Sequence, residues 1–146
     1  MPNMIIPPSS YARRTSKTVT FTGAANLGAV GAVPIFTTTG TVQVLSFVPT
    51  VTVSLGEAAP TATIALGVTT TTGFFVAATG AAAQLTAGKV WFTATPAAVS
   101  IAIPAGFKDI YVNENILGTV AAQAVNAGAI RFDIYYIPLS SDGLLA

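Results

Sequence analysis

Four oxygen-bearing side chains lie close together near residue 110, and they form the densest group in the sequence that could bind a metal. Asp109, Asn113, Glu114 and Asn115 could offer oxygen ligands to a calcium ion. A dedicated calcium loop places acidic residues at every second position, and this segment does not. Segments rich in Asn and Asp are typical of hairpin turns. We therefore interpret residues 109–115 as a turn and predict no metal site.

Other kinds of catalytic or cofactor chemistry are excluded mainly by residue types that the chain lacks. It has no cysteine and no histidine, which rules out thiol nucleophiles, histidine-based triads and zinc or haem sites. The five acidic residues do not show the arrangement of a hydrolytic carboxylate pair. The glycine-rich segment 23–31 has Ala29 and Val30 where a phosphate-binding loop needs Lys and Ser or Thr. The sequence predicts no enzyme, no catalytic residue and no cofactor.

Charged residues are scarce in this chain of 146 residues. They make up 8% of it against 52% hydrophobic residues, and six basic residues face five acidic ones. Charge this weak and scattered does not suit a nucleic-acid-binding protein. The longest apolar candidate, residues 116–130, is interrupted by Gly, Thr, Gln and Asn and is shorter than the roughly 18 residues of a spanning helix, so we expect no membrane partner. A neutral surface is typical of an assembly, and we predict a homo-oligomer, most simply a homotrimer.

The elements that must carry these residues are strands, because apolar and polar residues alternate along most of the chain and β-branched residues are frequent. Glycine, proline or asparagine interrupts the runs about every 8 to 12 residues, as in sandwiches and barrels. We predict an all-β fold, a single antiparallel β-sandwich that is jelly-roll-like. The predicted strands are 18–22, 33–38, 41–47, 50–55, 62–68, 73–78, 89–93, 99–103, 109–113, 119–124 and 129–137.

The last predicted strand shows most clearly which face is buried. A period of two places Ile130, Phe132, Ile134 and Tyr136 on one face, which we assign to the core. The opposite face carries Arg131, Asp133, Tyr135 and Ile137. Adjacent aromatic residues in a strand point to opposite sides, so Trp91-Phe92 and Tyr135-Tyr136 each predict one outward ring. Trp91 and Tyr135 are the candidate exposed aromatic residues.

The first 16 residues differ from the rest because they contain Pro2, Pro7 and Pro8 and show no periodicity. We predict an extended N-terminal arm at 1–16 and a β-sandwich domain at 17–146. Arg13, Arg14 and Lys17 give this end three positive charges and leave the body with three basic and five acidic residues. This opposition predicts that the arm binds a partner, a neighbouring subunit, through those three residues. The alternative is a loose terminus.

Four segments in this order resemble a group of small tailed-bacteriophage virion structural proteins, and the resemblance spans residues 19–143. They are Phe21-Thr22-Gly23-Ala-Ala-Asn-Leu-Gly28-Ala-Val-Gly31, Ile35-Phe36-Thr-Thr-Thr-Gly40-Thr-Val42, Ala62-Thr-Ile64-Ala-Leu-Gly67-Val68 and Ile137-Pro138-Leu139-Ser140-Ser141-Asp142-Gly143. The chain departs from the group at Ile137, where the group has Arg before Pro-Leu-Ser.

The resemblance implies a non-enzymatic virion protein, made in the bacterial host cytoplasm, that binds other copies of itself and the major capsid protein or another virion protein. Its leading role would be that of a capsid decoration or cement protein that binds and stabilises the assembled shell. A head-fibre, tail or receptor- or glycan-binding module of the virion is the alternative.

Overall fold

Residues 12–146 are the part of the chain that the structure, a computed structural model, describes. Within them are ten strands, one helix of four residues (α1) and a 3₁₀ turn at Ala105–Phe107. In chain order the elements are β1 Arg13–Thr20, β2 Gly31–Phe36, β3 Thr38–Thr39, β4 Val42–Glu57, β5 Thr63–Val68, β6 Val76–Gly80, α1 Ala81–Gln84, β7 Ile110–Val112, β8 Ile116–Ala121, β9 Val125–Pro138 and β10 Leu144–Leu145.

Two four-stranded antiparallel sheets form the body of the domain. Sheet 1 has the order β1-β9-β4-β7 and sheet 2 the order β2-β8-β5-β6, while β3 pairs with β10 in a small separate ribbon. The eight strands of the two sheets also pair in a nested way, since β1 pairs with β9, β2 with β8, β4 with β7 and β5 with β6. The predicted all-β antiparallel sandwich is confirmed.

The core lies between the two sheets and contains a cluster of phenylalanine rings. Phe47 sits at its centre, with its ring centroid 5.0 Å from that of Phe75 and 6.0 Å from those of Phe107 and Phe132. The β9 residues assigned to the core are all buried: Ile130, Phe132, Ile134 and Tyr136. The predicted register of this strand is therefore confirmed.

Strand β4 joins two strands that the sequence predicted separately on either side of Pro49. Proline is disfavoured inside a sheet because it has no N–H to donate to the ladder. Here the carbonyl oxygen of Pro49 accepts a hydrogen bond from Trp91 N at 2.9 Å, on the side away from β9. Because N–H and C=O of one residue point to the same side of an antiparallel strand, the missing donor also lies away from β9. The proline therefore costs no hydrogen bond between β4 and β9.

Two predicted strands are wrong. Residues 89–93 form only isolated bridges at Val90, with Thr50 and Ala97, and residues 99–103 form no strand. The chain near residue 90 runs irregularly beside β4, where Val51 N donates to Lys89 O and Gly88 N donates to Val51 O. It is held by β4 without becoming a regular ladder.

The end of the predicted arm belongs to the sandwich. Residues 13–16 lie in β1, which pairs with β9 from Arg13 opposite Tyr136 to Thr20 opposite Ala129. Residues 1–11 of the predicted arm lie outside the described part of the chain.

Candidate interaction surface

Charged residues are concentrated on one of the two sheets. The strands of sheet 2 contain no Lys, Arg, Asp or Glu, and their sequences are GAVPIF, TIALGV, VAATG and ILGTVA. The strands of sheet 1 carry Arg13, Arg14, Lys17, Glu57, Arg131 and Asp133. The domain thus has one charged sheet and one uncharged sheet, and each presents an outer face of different chemistry.

Asp133 organises the outer face of sheet 1 where β1 meets β9. Ser16 lies directly opposite it in the ladder, and Ser16 Oγ donates to Asp133 Oδ1 at 2.7 Å. Arg14 Nη2 donates to the same oxygen at 2.9 Å, and Arg131 Nε donates to Asp133 Oδ2 at 2.8 Å. The carboxylate therefore joins β1 to β9 through two hydrogen bonds, from Ser16 and Arg14, and accepts a third from Arg131 of its own strand. All three are charge-assisted, because the acceptor is ionised.

These contacts determine the protonation state of Asp133. Burial by itself would raise the pKa of the carboxyl group. The hydrogen bonds from Ser16, Arg131 and Arg14, together with the positive charge of Arg131, outweigh burial and hold the pKa below its ordinary value of 3.8. Asp133 is ionised at neutral pH, and the two arginines leave this part of the face with a net positive charge.

The three basic residues predicted to bind a partner do not form one patch. Arg14 shares the outer face of sheet 1 with Asp133. Arg13 and Lys17 lie opposite Tyr136 and Phe132, whose side chains face the core, so they project from the other side of β1. Since β1 is an edge strand, both still reach solvent.

Of the two aromatic residues predicted to be exposed, only Tyr135 is. Its side chain is 45% exposed on the outer face of sheet 1. Trp91 is fully buried, and its Nε1 donates to the buried Thr79 Oγ1 at 3.0 Å. The prediction for Trp91 is wrong because residues 89–93 are not a regular strand, so the alternation of faces fails and Phe92 is buried as well.

The sequence reading missed a second exposed tyrosine on the same face. Tyr111 is 60% exposed and lies opposite Gln43, which in turn lies opposite Ile137. Directly opposed residues of an antiparallel ladder share a face. The outer face of sheet 1 therefore carries Tyr111 and Tyr135 in addition to its ionic cluster. The alternation Ile110-Tyr111-Val112 was the available signal.

An open groove of about 460 Å³ lies where the free edge of sheet 1 meets that of sheet 2. Residues 17–20 of β1 line one side, Pro34 of β2 lines the other, and Thr22, Asn26 and Leu27 of the intervening loop line the end. Gly28 allows this loop to pack closely, since its φ of 115° is a glycine conformation and a Cβ at this position would overlap the Val125 carbonyl oxygen. The groove is open to solvent along the edge of β1.

Two side chains of segment 109–115, Glu114 and Asn115, hold other parts of the chain in place through hydrogen bonds. The Glu114 carboxylate accepts hydrogen bonds from the N–H and the hydroxyl of Thr70, at 2.8 and 2.9 Å. Asn115 Oδ1 accepts from Thr38 N at 2.9 Å. These side chains fasten the start of β3 and the loop after β5 to the turn before β8, which agrees with a structural role for the turn.

Two further features concern residues 12–146 only. No group of three or more acidic side chains in this range comes together in a way that could hold a metal ion. The range also contains no helix long and apolar enough to cross a membrane.

Comparison with known proteins shows the fold of the chain. No protein-family model matches it, and no curated protein does either. Among solved structures, a chain of the cyanophage Pam1 capsid asymmetric unit is similar, with a TM-score of 0.50 and 20% sequence identity. The likeness covers 86% of this chain and 84% of that one, so the two chains have about the same length and are alike over nearly all of it.

Proposed function

We propose that this protein is a non-enzymatic structural component of a tailed-bacteriophage virion, and specifically a decoration or cement protein that binds the assembled capsid. The observation that carries the proposal is the likeness, over nearly the whole domain, to a chain of a cyanophage capsid asymmetric unit. The order of the four sequence segments that resemble phage virion proteins supports it independently.

We further infer that the sandwich is a jelly roll. The supporting observation is the nested pairing of the eight strands of the two sheets, in which the first strand pairs with the last, the second with the next to last, and so on inward. Such pairing arises when one long antiparallel hairpin of four strand pairs folds over into two sheets. Jelly rolls recur in viral capsid domains and in lectins.

The proposed activity needs no chemistry beyond binding. A protein that binds the assembled lattice but not its free subunits stabilises the lattice by mass action, by about 2.7 kcal/mol for each site at a free concentration one hundred times Kd. Each bound copy would lower the tendency of the shell to open on heating. Major capsid protein, or another virion protein at the shell surface, is the proposed partner.

The uncharged sheet supports a homo-oligomer, which we propose to be a trimer. On its outer face the exposed Ala32 lies opposite Thr119, whose hydroxyl oxygen is buried without a hydrogen-bond partner in the described residues. A neutral face made of small side chains can pack closely against a second copy at little desolvation cost. The charged sheet would then remain available for the shell.

A single charge placed on each surface tests this arrangement. Ala32→Glu puts a carboxylate on the uncharged face, and Ala105→Glu puts the same group on the exposed 3₁₀ turn. We expect wild-type protein and Ala105→Glu to sediment as trimers at micromolar concentration, and Ala32→Glu to dissociate. A wild-type monomer of about 15 kDa under those conditions would contradict the proposed oligomer.

The virion role is tested by adding purified protein to particles that lack it. We expect saturable binding with hundreds of copies per particle, visible on the capsid surface by cryo-electron microscopy, and a higher temperature of genome release. Binding to a few sites at the tail or at isolated vertices would instead favour a head-fibre or tail component.

The second candidate is a receptor- or glycan-binding module. Tyr111 and Tyr135 favour it, since both are exposed on one face and tyrosine rings can stack on sugars. Glycan-array binding that is abolished by Tyr111→Ala, with no binding to the capsid surface, would support this candidate over decoration.

A further inference from the structure

One side of the groove between the two sheets is formed by β1, an edge strand of sheet 1. Among residues 12–146, β1 pairs with β9 alone, so the other edge of its eight residues has no strand partner. Such an edge can accept an added strand from another chain. The edge of sheet 2 across the groove is β2, in which Pro34 has no N–H to offer. An entering strand would therefore pair with β1.

The floor and rim of the groove favour an apolar, uncharged guest. Val19 is buried beneath it, Leu27 is 42% exposed at its end, and Pro34 adds a further apolar side. Threonine hydroxyls of β1 and the amide of Asn26 supply neutral polar groups along the rim. Lys17 is the one charged residue in the lining.

The chain itself contains a segment of matching chemistry outside the described residues. Residues 1–11 have the sequence MPNMIIPPSSY, which includes the apolar run Met4-Ile5-Ile6 and no charged side chain. Pro7 and Pro8 directly follow this run and would end any strand pairing there. A short strand of about three residues fits the length of β1 that lines the groove, residues 17–20.

The direction of β1 indicates whether residues 4–6 enter the groove of their own chain or that of a neighbouring copy. Residues 1–11 join β1 at its Arg13 end, and the groove lies at the opposite end, toward Thr20. To reach its own groove the chain would have to reverse at residues 9–12, Ser-Ser-Tyr-Ala, which include none of the Gly, Asn or Asp residues that tight hairpins prefer. The tether between Ile6 and β1 is residues 7–12, and six extended residues span at most roughly 20 to 22 Å, so the receiving groove must lie within about that distance of Arg13.

We propose that Met4-Ile5-Ile6 of one copy bind in the groove of a neighbouring copy as a strand added to the free edge of β1. The inference rests on the proposed homo-oligomer, and it assigns the groove as the site that binds the N-terminal arm of the neighbouring copy. Repeated head to tail, this contact is heterologous, and three such contacts close a ring.

Disulfide trapping tests the contact directly, because the chain has no cysteine of its own. The test variant carries Ile6→Cys and Leu27→Cys in one chain. The control variant carries Ile6→Cys and Leu144→Cys, because Leu144 is as exposed as Leu27, at 42%, but lies outside the groove. Under mild oxidation we expect the first chain to form covalent dimers and trimers and the control to remain monomeric on a non-reducing gel. A cross-link within one chain, or no cross-link either in solution or on particles, would overturn the proposal.

A charge substitution measures how much the contact contributes. Leu27→Asp should weaken self-association at least about tenfold, the effect of removing one well-packed interface side chain, while Leu144→Asp leaves it unchanged. Equal effects of the two variants would count against the groove. If Leu27→Asp does not fold, as judged by circular dichroism, the cysteine pair decides the question.

The same variants separate this inference from the proposed function. Cross-linking between copies of a protein that binds no particle would support the groove contact and contradict decoration. Particle binding without the cross-link would leave decoration standing and refute the groove contact.

Discussion

Replacing Phe47 by alanine should remove the centre of the core. The Phe47 side chain is fully buried, and its ring has four aromatic neighbours. The centroid distances are 5.0 Å to Phe75, 6.0 Å to Phe107 and to Phe132, and 6.4 Å to Phe36. Phe132 belongs to sheet 1, Phe36 to sheet 2, Phe107 to the 3₁₀ turn and Phe75 to the loop before β6. Rings held by four different parts of the chain cannot all collapse into the space that the Phe47 ring vacates.

The expected loss in the free energy of unfolding is at the upper end of the range for buried Phe→Ala substitutions, about 5 kcal/mol. Two effects place it there: the cavity remains largely open, and edge or tilted aromatic contacts each contribute roughly 0.5 to 1.5 kcal/mol beyond area burial. Typical domains have a total stability of about 5 to 15 kcal/mol, so the variant should be close to unfolding.

Phe74→Ala is the matched control, since it removes the same atoms from a side chain that is 46% exposed and touches one ring, that of Phe75. It should cost about 1 kcal/mol or less. Urea unfolding followed by fluorescence and circular dichroism measures both variants, with the slope against urea checked for two-state behaviour. A loss below about 2 kcal/mol for Phe47→Ala, or equal losses for the two variants, would refute the description of the core.

Two other predictions concern the ionic cluster and the loop at the groove. Asp133→Asn should lower the free energy of unfolding by about 1 kcal/mol at pH 7, since its arginine partners are largely exposed. Because the folded-state pKa lies below 3.8, this contribution is present above that pH and is lost as the pH falls through the folded-state pKa, so the difference between wild type and variant in urea melts should shrink as the pH is lowered below 3.8. Gly28→Ala should be severely destabilising, because a Cβ there would overlap the Val125 carbonyl oxygen. Gly31 has a similar φ of 125° but open space around it, so Gly31→Ala should cost only the backbone strain, roughly 1 to 3 kcal/mol. Thermal melts of the two variants measure the difference. Equal losses for the two glycine variants would show that the loop can move away from Val125.

The strand content and the face of β9 were readable from sequence because one side of a half-buried strand must be apolar. In β9 the alternation is uninterrupted from Ile130 to Tyr136, and each inward residue is buried. Trp91 shows where this reasoning fails. Its neighbours Val90 and Phe92 give it a strand-like pattern, but the chain there runs irregularly along β4. The burial of Trp91 therefore depends on tertiary packing and not on an alternation of faces.

The surface was harder to anticipate, because its features depend on pairs of strands. Arg14 and Asp133 are 119 residues apart, and their contact follows from the pairing of β1 with β9. A period of two placed Asp133 on an outer face without indicating which strand lies beside it. The groove likewise exists only because β1 and β2 are the edges of different sheets, which no local pattern encodes.

The pairing of β1 with β9 also sets the order of events during synthesis. β1 is made early, but its partner is complete only when residue 138 has left the ribosome, and β4 waits for the same partner. Contacts this distant in sequence make folding slow and leave the uncharged strands of the second sheet unprotected in the meantime. A nascent or prematurely terminated chain that lacks β9 cannot complete the charged sheet. It therefore cannot present the paired β1 edge that the proposed arm contact needs, and we expect incomplete chains to be degraded.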